Sequence, residues 1–149
     1  VKYITPDGDF TGFNAPDKAK VIAGAMYEGG ADVIFHAAGG SGSGLFDAAV
    51  AAGDGKWAIG VDSDQYLNAS ADQQKHILTS MLKRVDVAVY DSIKAFADGD
   101  KGGKTITLDL EADGVGYSTS GGYVDDIADQ LDALKDKIIA GDITVPTAP

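Results

Sequence analysis

Apolar positions along the chain fall into runs and stripes with two different periods. Ala31–Ala38 is almost wholly apolar and leads directly into Gly39-Gly40-Ser41-Gly42-Ser43-Gly44. Leu45, Phe46, Ala49 and Val50 then recur at helical spacing, and a second apolar run, Trp57–Val61, ends in Asp62-Ser63-Asp64-Gln65. Strand, glycine-rich loop, helix and strand in that order make the βαβ unit of a parallel α/β sheet. Ligands of such sheets bind beyond the carboxyl ends of the strands. Phe35, His36, the glycine stretch, Asp62 and Asp64 all fall there.

The same reading extends to both ends of the chain. Val1–Thr5 reads as a short strand and Pro6–Phe13 as a turn-rich loop. Asn14 is a candidate N-cap for a helix with Pro16 and Asp17 in its first turn, where both residue types are favoured. Ile22, Ala25 and Met26 mark its apolar face, and Gly29-Gly30 ends it. Tyr66–Lys75 is polar, a loop or short helix, and Ile77–Leu82 is a further strand with Lys83-Arg84 at its carboxyl end. Val85–Asp98 is an amphipathic helix, because Val85, Ala88, Val89, Ser92, Ile93 and Phe96 share one stripe. Lys104–Leu110 alternates polar and apolar residues and predicts a half-exposed strand. A second glycine- and serine-rich loop covers Asp113–Gly122. The last predicted helix, Val124–Ala140, carries Val124, Ile127, Leu131, Leu134 and Ile138 on one side. The pattern shows no repeat, linker or second domain, so residues 1–149 read as a single α/β lobe.

Composition narrows the chemistry. The 149 residues are 44% hydrophobic and 23% charged, ordinary values for a chain with a real core. A net charge of −11 is not ordinary, and it argues against binding nucleic-acid backbone or anionic lipid, since both need a basic face. It suits a secreted or surface protein kept soluble by its charge. With no cysteine, disulfides, cysteine-ligated zinc and thiol catalysis are excluded, and the two histidines match no metal spacing.

Each candidate for chemistry meets a plainer alternative. The glycine stretch could hold a phosphate on its backbone N–H groups, but Leu45 stands where a P-loop needs lysine, and the dinucleotide spacing is absent. A tight turn that brings backbone close to an uncharged ligand or a neighbouring helix is the favoured reading. Asp109, Glu111 and Asp113 imitate the start of a calcium loop, yet its twelfth position is Ser120 rather than glutamate. A solvated turn accounts for them better. Asp62 and Asp64 share one side of an extended chain, as an acid–base pair or as acceptors for sugar hydroxyls. Neither histidine sits in a motif with a nucleophile.

Several segments together resemble one family. "GADVIFHAAGGSGSGLFDAA" (30–49), "AIGVDSDQY" (58–66), "ILTSMLKRVDVAVYDSIK" (77–94) and "KIIAGDITVP" (137–146), with the opening "GDFTGFNAPDKAK" (8–20), are similar to the basic membrane protein family of bacterial substrate-binding lipoproteins. Its best understood members are purine nucleoside receptors of ABC transporters. The resemblance implies a two-lobed fold of the type I periplasmic-binding-protein kind, with this chain as the second lobe, a doubly wound parallel sheet truncated at its N-terminus. The helix 85–98 would then pack on the missing lobe, supplied by the rest of the polypeptide or by a swapped copy.

The resemblance also assigns ligand-binding roles. Phe35 would stack on a purine, Gly39 and Gly40 would approach the ligand, Asp62 would accept ribose hydroxyls, and Lys83 would support Asp62 and the sugar. The residue chemistry is suitable: an aromatic face for a base, a carboxylate for a diol, a cation to hold the carboxylate ionised. The implied function is an extracytoplasmic nucleoside-binding protein, lipid-anchored at the bacterial surface or in the periplasm. It would serve an ABC permease and ATPase, without enzyme activity, cofactor, metal or nucleic-acid partner. The alternatives are a doubly wound enzyme acting on a nucleoside or sugar, and a surface adhesin or sensor that reuses the fold.

Overall fold

A computed structural model of the chain describes residues 1–5 and 9–146. Residues 6–8 of the predicted loop and 147–149 of the tail lie outside the described residues. The element order is α1 (Pro16–Glu28), β1 (Val33–Phe35), α2 (Gly42–Ala52), β2 (Trp57–Asp62), α3 (Ala71–Gln74), β3 (Ile77–Lys83), α4 (Val85–Ala97), β4 (Val115–Tyr117) and α5 (Ala128–Ile139), with short 3-10 turns between. The strands form one sheet in the order β1-β2-β3-β4, and β1, β2 and β3 run parallel. Val33 pairs with Trp57 and Phe35 with Ile59, while Asp62 pairs with Leu82. The α/β reading and the parallel βαβ unit therefore hold.

The chain groups into two compact units, Val1–Leu82 with Tyr117–Tyr123, and Lys83–Gly116 with Val124–Pro149. The first unit holds a continuous core of Ala23, Tyr27, Ile34, Leu45, Phe46, Ala48, Ala49, Ala58 and Ile77. Alanines dominate α2 because α1 lies close against it, and Gly44 permits that approach while Gly42 leaves room for the residue after β1. A Cβ on Gly44 would collide with the carbonyl of Pro16, and one on Gly42 would collide with the ring of His36. Tyr27 donates to the carbonyl of Trp57 at 2.8 Å, and burial pushes its phenol up to about 12. In the second unit, Asp113 is bridged by Arg84 at 3.2 Å and by Lys135 at 3.7 Å.

Local signals and observed elements differ at several points. Val1–Thr5 forms no strand, and Lys104–Leu110 forms none either, although its alternation favours one. A strand exists only where a neighbour accepts its hydrogen bonds, and these two stretches have no ladder. Conversely, β4 lies inside the predicted loop 113–122. The apolar run Ala31–Ala38 contributes only three strand residues. Asn14 does not cap α1; it ends a 3-10 turn, Phe10–Asn14, capped by Asp9, whose side chain accepts from the N–H of Thr11 at 2.9 Å. The Ala15 N–H is satisfied instead by Ser41 Oγ at 2.7 Å, a partner 26 residues away. The buried face of α1 is Ala19, Ala23 and Tyr27 at i, i+4 and i+8, with Ala25 exposed. The last helix starts later than its pattern suggests, because Asp125–Ile127 is a 3-10 turn.

The glycine stretch is the largest correction. It is no loop: Gly39–Ser41 is a 3-10 turn and Gly42 is already the first residue of α2. Ser41 is fully buried, and its hydroxyl donates to the Gly12 carbonyl at 2.6 Å while accepting from Ala15. The small residues here serve backbone-to-backbone packing.

Candidate functional site

The site is built from the carboxyl ends of β1 and β2. In β1, Ile34 turns into the core at 7% exposure, so its neighbour Phe35 must point the other way and is 51% exposed. Phe35 lines a cleft of about 670 Å³ that runs along β1, a volume in the range of small-molecule sites. The walls come from Tyr3, Phe10, Phe13, Ile22, Met26 and Ile34 among others, so they are mostly apolar. β1 is the first strand of the sheet, hydrogen-bonded to β2 alone among the described strands.

His36 follows Phe35 and is buried at 7% exposure, its ring edge-on to Phe46 at 5.7 Å. Its Nε2 lies 2.9 Å from Gln65 Oε1, the same oxygen that accepts the backbone N–H of Val61 at 2.8 Å. Burial lowers the His36 pKa below its ordinary value, and the bond to Gln65 and the charge of Asp62 oppose this without reversing it. Asp62 thus acts electrostatically on His36 across the ends of two adjacent strands.

Asp62 itself is exposed and takes a φ of 70°, the left-handed region that residues with a Cβ avoid. Two residues on, Asp64 Oδ2 accepts from Ser118 Oγ at 2.8 Å and from Ser120 Oγ at 2.6 Å. Asp64 is therefore held by two serine hydroxyls and is half-buried, whereas Asp62 is exposed. Gly39 and Gly40 lie in the same unit as Phe35 and Asp62. The close approach they make is to Phe13: a Cβ on Gly39 would stand 3.2 Å from its ring, and one on Gly40 would stand 3.3 Å from its carbonyl. Lys83 is exposed at the end of β3 and belongs to the second unit.

Ser41, Gln65, Ser118 and Ser120 were not singled out by their sequence context. Gln65 follows the Asp-Ser-Asp run and carries a visible signal there. The two serines, more than fifty positions from Asp64, carry none. Among the described residues no cluster of three or more histidines, aspartates or glutamates could hold a metal, and no helix is long and apolar enough to cross a membrane. Asp109 accepts from the N–H of Ala112 at 3.0 Å and Asp113 forms ion pairs, which fits a turn rather than a calcium loop.

Comparison with known proteins follows the same direction. Residues 9–148 match a family model described as "ABC transporter substrate-binding protein PnrA-like". A "CD4+ T-cell-stimulating antigen" of Listeria monocytogenes is 37% identical over all of this chain and 46% of its own length. An "ABC transporter nucleoside-binding protein BmpA" of Lactococcus lactis is 35% identical over 91% of this chain and 42% of its own. A crystal structure of an ABC transporter solute-binding protein from Aeropyrum pernix superposes with a TM-score of 0.68 at 27% identity, covering 89% of this chain and 45% of that one. The chain spans about half the length of the curated relatives it matches.

Proposed function

The chain belongs to the family of PnrA-like ABC transporter substrate-binding proteins, and from that premise we propose that it is one lobe of an extracytoplasmic receptor capturing nucleosides, purine nucleosides above all, for an ABC importer. Its partners are then an ABC permease and ATPase, together with a complementary lobe from the same polypeptide or a swapped copy. A lipid anchor at the bacterial surface completes this reading. Phe35, Gly39, Gly40, Asp62 and Lys83 are its ligand-binding residues. The Lactococcus relative, named as nucleoside-binding, supports the choice of ligand.

One observation carries the reading. An exposed aromatic face and an exposed carboxylate stand at the carboxyl ends of two adjacent parallel strands, joined by the His36–Gln65 bridge. An aromatic ring stacks on a base and a carboxylate accepts two vicinal hydroxyls, which is the chemistry of a nucleoside. The tethering of Asp64 by two serine hydroxyls favours binding over catalysis, because an acid–base pair needs both carboxyls facing the substrate.

Calorimetry on the polypeptide that carries this chain, with adenosine, guanosine and their 5′-monophosphates, tests the reading. Nucleosides should bind and monophosphates should bind more weakly, since a phosphate dianion meets the Asp62 carboxylate and a chain of net charge −11. Tighter binding of the monophosphates, or steady release of free base from the nucleosides, would overturn it.

A further inference from the structure

The end of β2 carries a strained turn. The N–H of Ser63 donates to the carbonyl of Val61 at 2.9 Å, and the residue enclosed between them, Asp62, has a φ of 70°. A hydrogen bond from i+2 to i closed around a positive-φ residue is a γ-turn of the rare, strained kind. Such conformations persist only where the surroundings over-determine them, and they concentrate at ligand sites.

Two side chains just past the turn supply that constraint. Gln65 reaches back and accepts the N–H of Val61 at 2.8 Å, and its own N–H donates to Ser80 Oγ at 3.1 Å. Asp64 reaches the opposite way, to the Ser118 and Ser120 hydroxyls. Ser118 is itself fixed to β3, since its N–H donates to the Ser80 carbonyl at 2.9 Å and its Oγ accepts the Ser120 N–H at 3.0 Å. Ser80 is fully buried, so both arms end on the same rigid point of β3. Asp64 Oδ1, by contrast, is sealed from solvent without a hydrogen-bond partner among the described residues. A buried carboxylate oxygen left unsatisfied costs stability. Its retention beside a strained residue marks a side chain kept for geometry.

We propose that Asp64 is a positioning residue for ligand binding: anchored by Ser118 and Ser120, it holds the γ-turn in the conformation that presents the Asp62 carboxylate to the ribose hydroxyls. This rests on the reading of Asp62 as the ribose acceptor. Asp64 acts through Asp62 and does not touch ligand. Its contribution is therefore expressed only toward ligands that carry the diol and only while Asp62 is intact.

The test compares adenosine with 2′,3′-dideoxyadenosine in the wild type, Asp64→Ala, Asp64→Asn, Asp62→Asn and the Asp62→Asn/Asp64→Ala double variant, each with its melting temperature. Asp64→Ala should lose adenosine affinity by roughly tenfold, the scale of coupling within one hydrogen-bond network. Its dideoxyadenosine affinity should hardly change. Asp64→Asn, whose amide oxygen still accepts from the serines, should recover most of the loss. In the double variant the adenosine loss should be no greater than in Asp62→Asn alone. If Asp64→Ala does not fold, Ser120→Ala, which removes one anchor, is held to the same pattern. Equal losses for both ligands, no loss for either, or additive losses in the double variant would overturn the proposal while leaving the nucleoside reading in place. A wild type that binds neither nucleoside overturns that reading, and this proposal with it.

Discussion

His36 and Gln65 meet at 2.9 Å, and their bond fixes which ring nitrogen carries the proton. The Gln65 atom involved also accepts the N–H of Val61, so it is the amide oxygen and an acceptor. Nε2 must therefore donate. In the neutral ring this leaves Nδ1 as a bare acceptor, buried without a hydrogen-bond partner among the described residues.

That arrangement predicts a pH dependence of stability. Burial holds the His36 pKa below its ordinary 6.5 in the folded chain, while the unfolded chain takes up its proton near 6.5. Between those two values the unfolded state holds more protons, so stability rises with pH through that window and levels off above it. The melting temperature should fall as the pH drops below about 6.5, and His36→Gln should remove this component. Parallel melting curves for the two proteins from pH 7 to 5 would refute the effect of burial on His36 assigned here.

Phe35→Ala separates a ligand-facing ring from a core ring. With half of its surface exposed, Phe35 contributes little to packing, so truncation should move the melting temperature only slightly. Nucleoside affinity should fall by roughly 1–3 kcal/mol, the worth of one base–aromatic stack. An early-melting variant with unchanged affinity would return Phe35 to the core.

Two glycines should answer oppositely to alanine. At Gly44 a Cβ would strike the Pro16 carbonyl and stand 2.9 Å from the Lys20 nitrogen, all backbone that cannot step aside. Gly44→Ala should force α1 and α2 apart and cost about 1–3 kcal/mol in denaturant unfolding. Gly24, inside α1, has nothing within 4 Å of the place a Cβ would occupy, so Gly24→Ala should gain about 0.5–1 kcal/mol. A neutral Gly44→Ala would disprove the close helix approach.

The exposed stripe of α4 predicts association of the 149-residue chain by itself. Val85, Val89, Ile93 and Phe96 lie on one face and are 62%, 52%, 66% and 63% exposed. Contiguous apolar surface of this kind seeks cover. Light scattering behind size exclusion should find dimers or larger species at micromolar concentration, and Ile93→Glu should shift them toward monomer. A wild-type chain that stays monomeric would show that the stripe needs no partner.

What the sequence determined by itself is what local chemistry controls. Helices close their hydrogen bonds within four residues, so stripe, breaker and cap signals near each segment were enough to mark α1, α4 and most of α5. The apolar runs Trp57–Val61 and Ile77–Leu82 were legible as strands because short, largely apolar runs bounded by turn and polar residues suit a sheet covered by helices. The order of run, helix and run also put Phe35 and Asp62 at the carboxyl ends of neighbouring strands.

Tertiary structure decided everything that depends on a distant partner. Lys104–Leu110 alternates like a strand and Val115–Tyr117 does not, yet only the latter joins the sheet, because a ladder needs a neighbour and no residue encodes its own. The glycines of 39–44 read as a tight turn bringing backbone close to an uncharged ligand or a neighbouring helix, and tertiary structure set the backbone of α1 against Gly44 and the His36 ring against Gly42. Ala15 rather than Asn14 stands at the start of α1 with its N–H on Ser41, and Asp64 found Ser118 and Ser120, through contacts spanning 26 to 56 residues. The positive φ of Asp62 belongs with these: aspartate tolerates that region better than most residues with a Cβ, but the surrounding hydrogen bonds decide that this residue takes it.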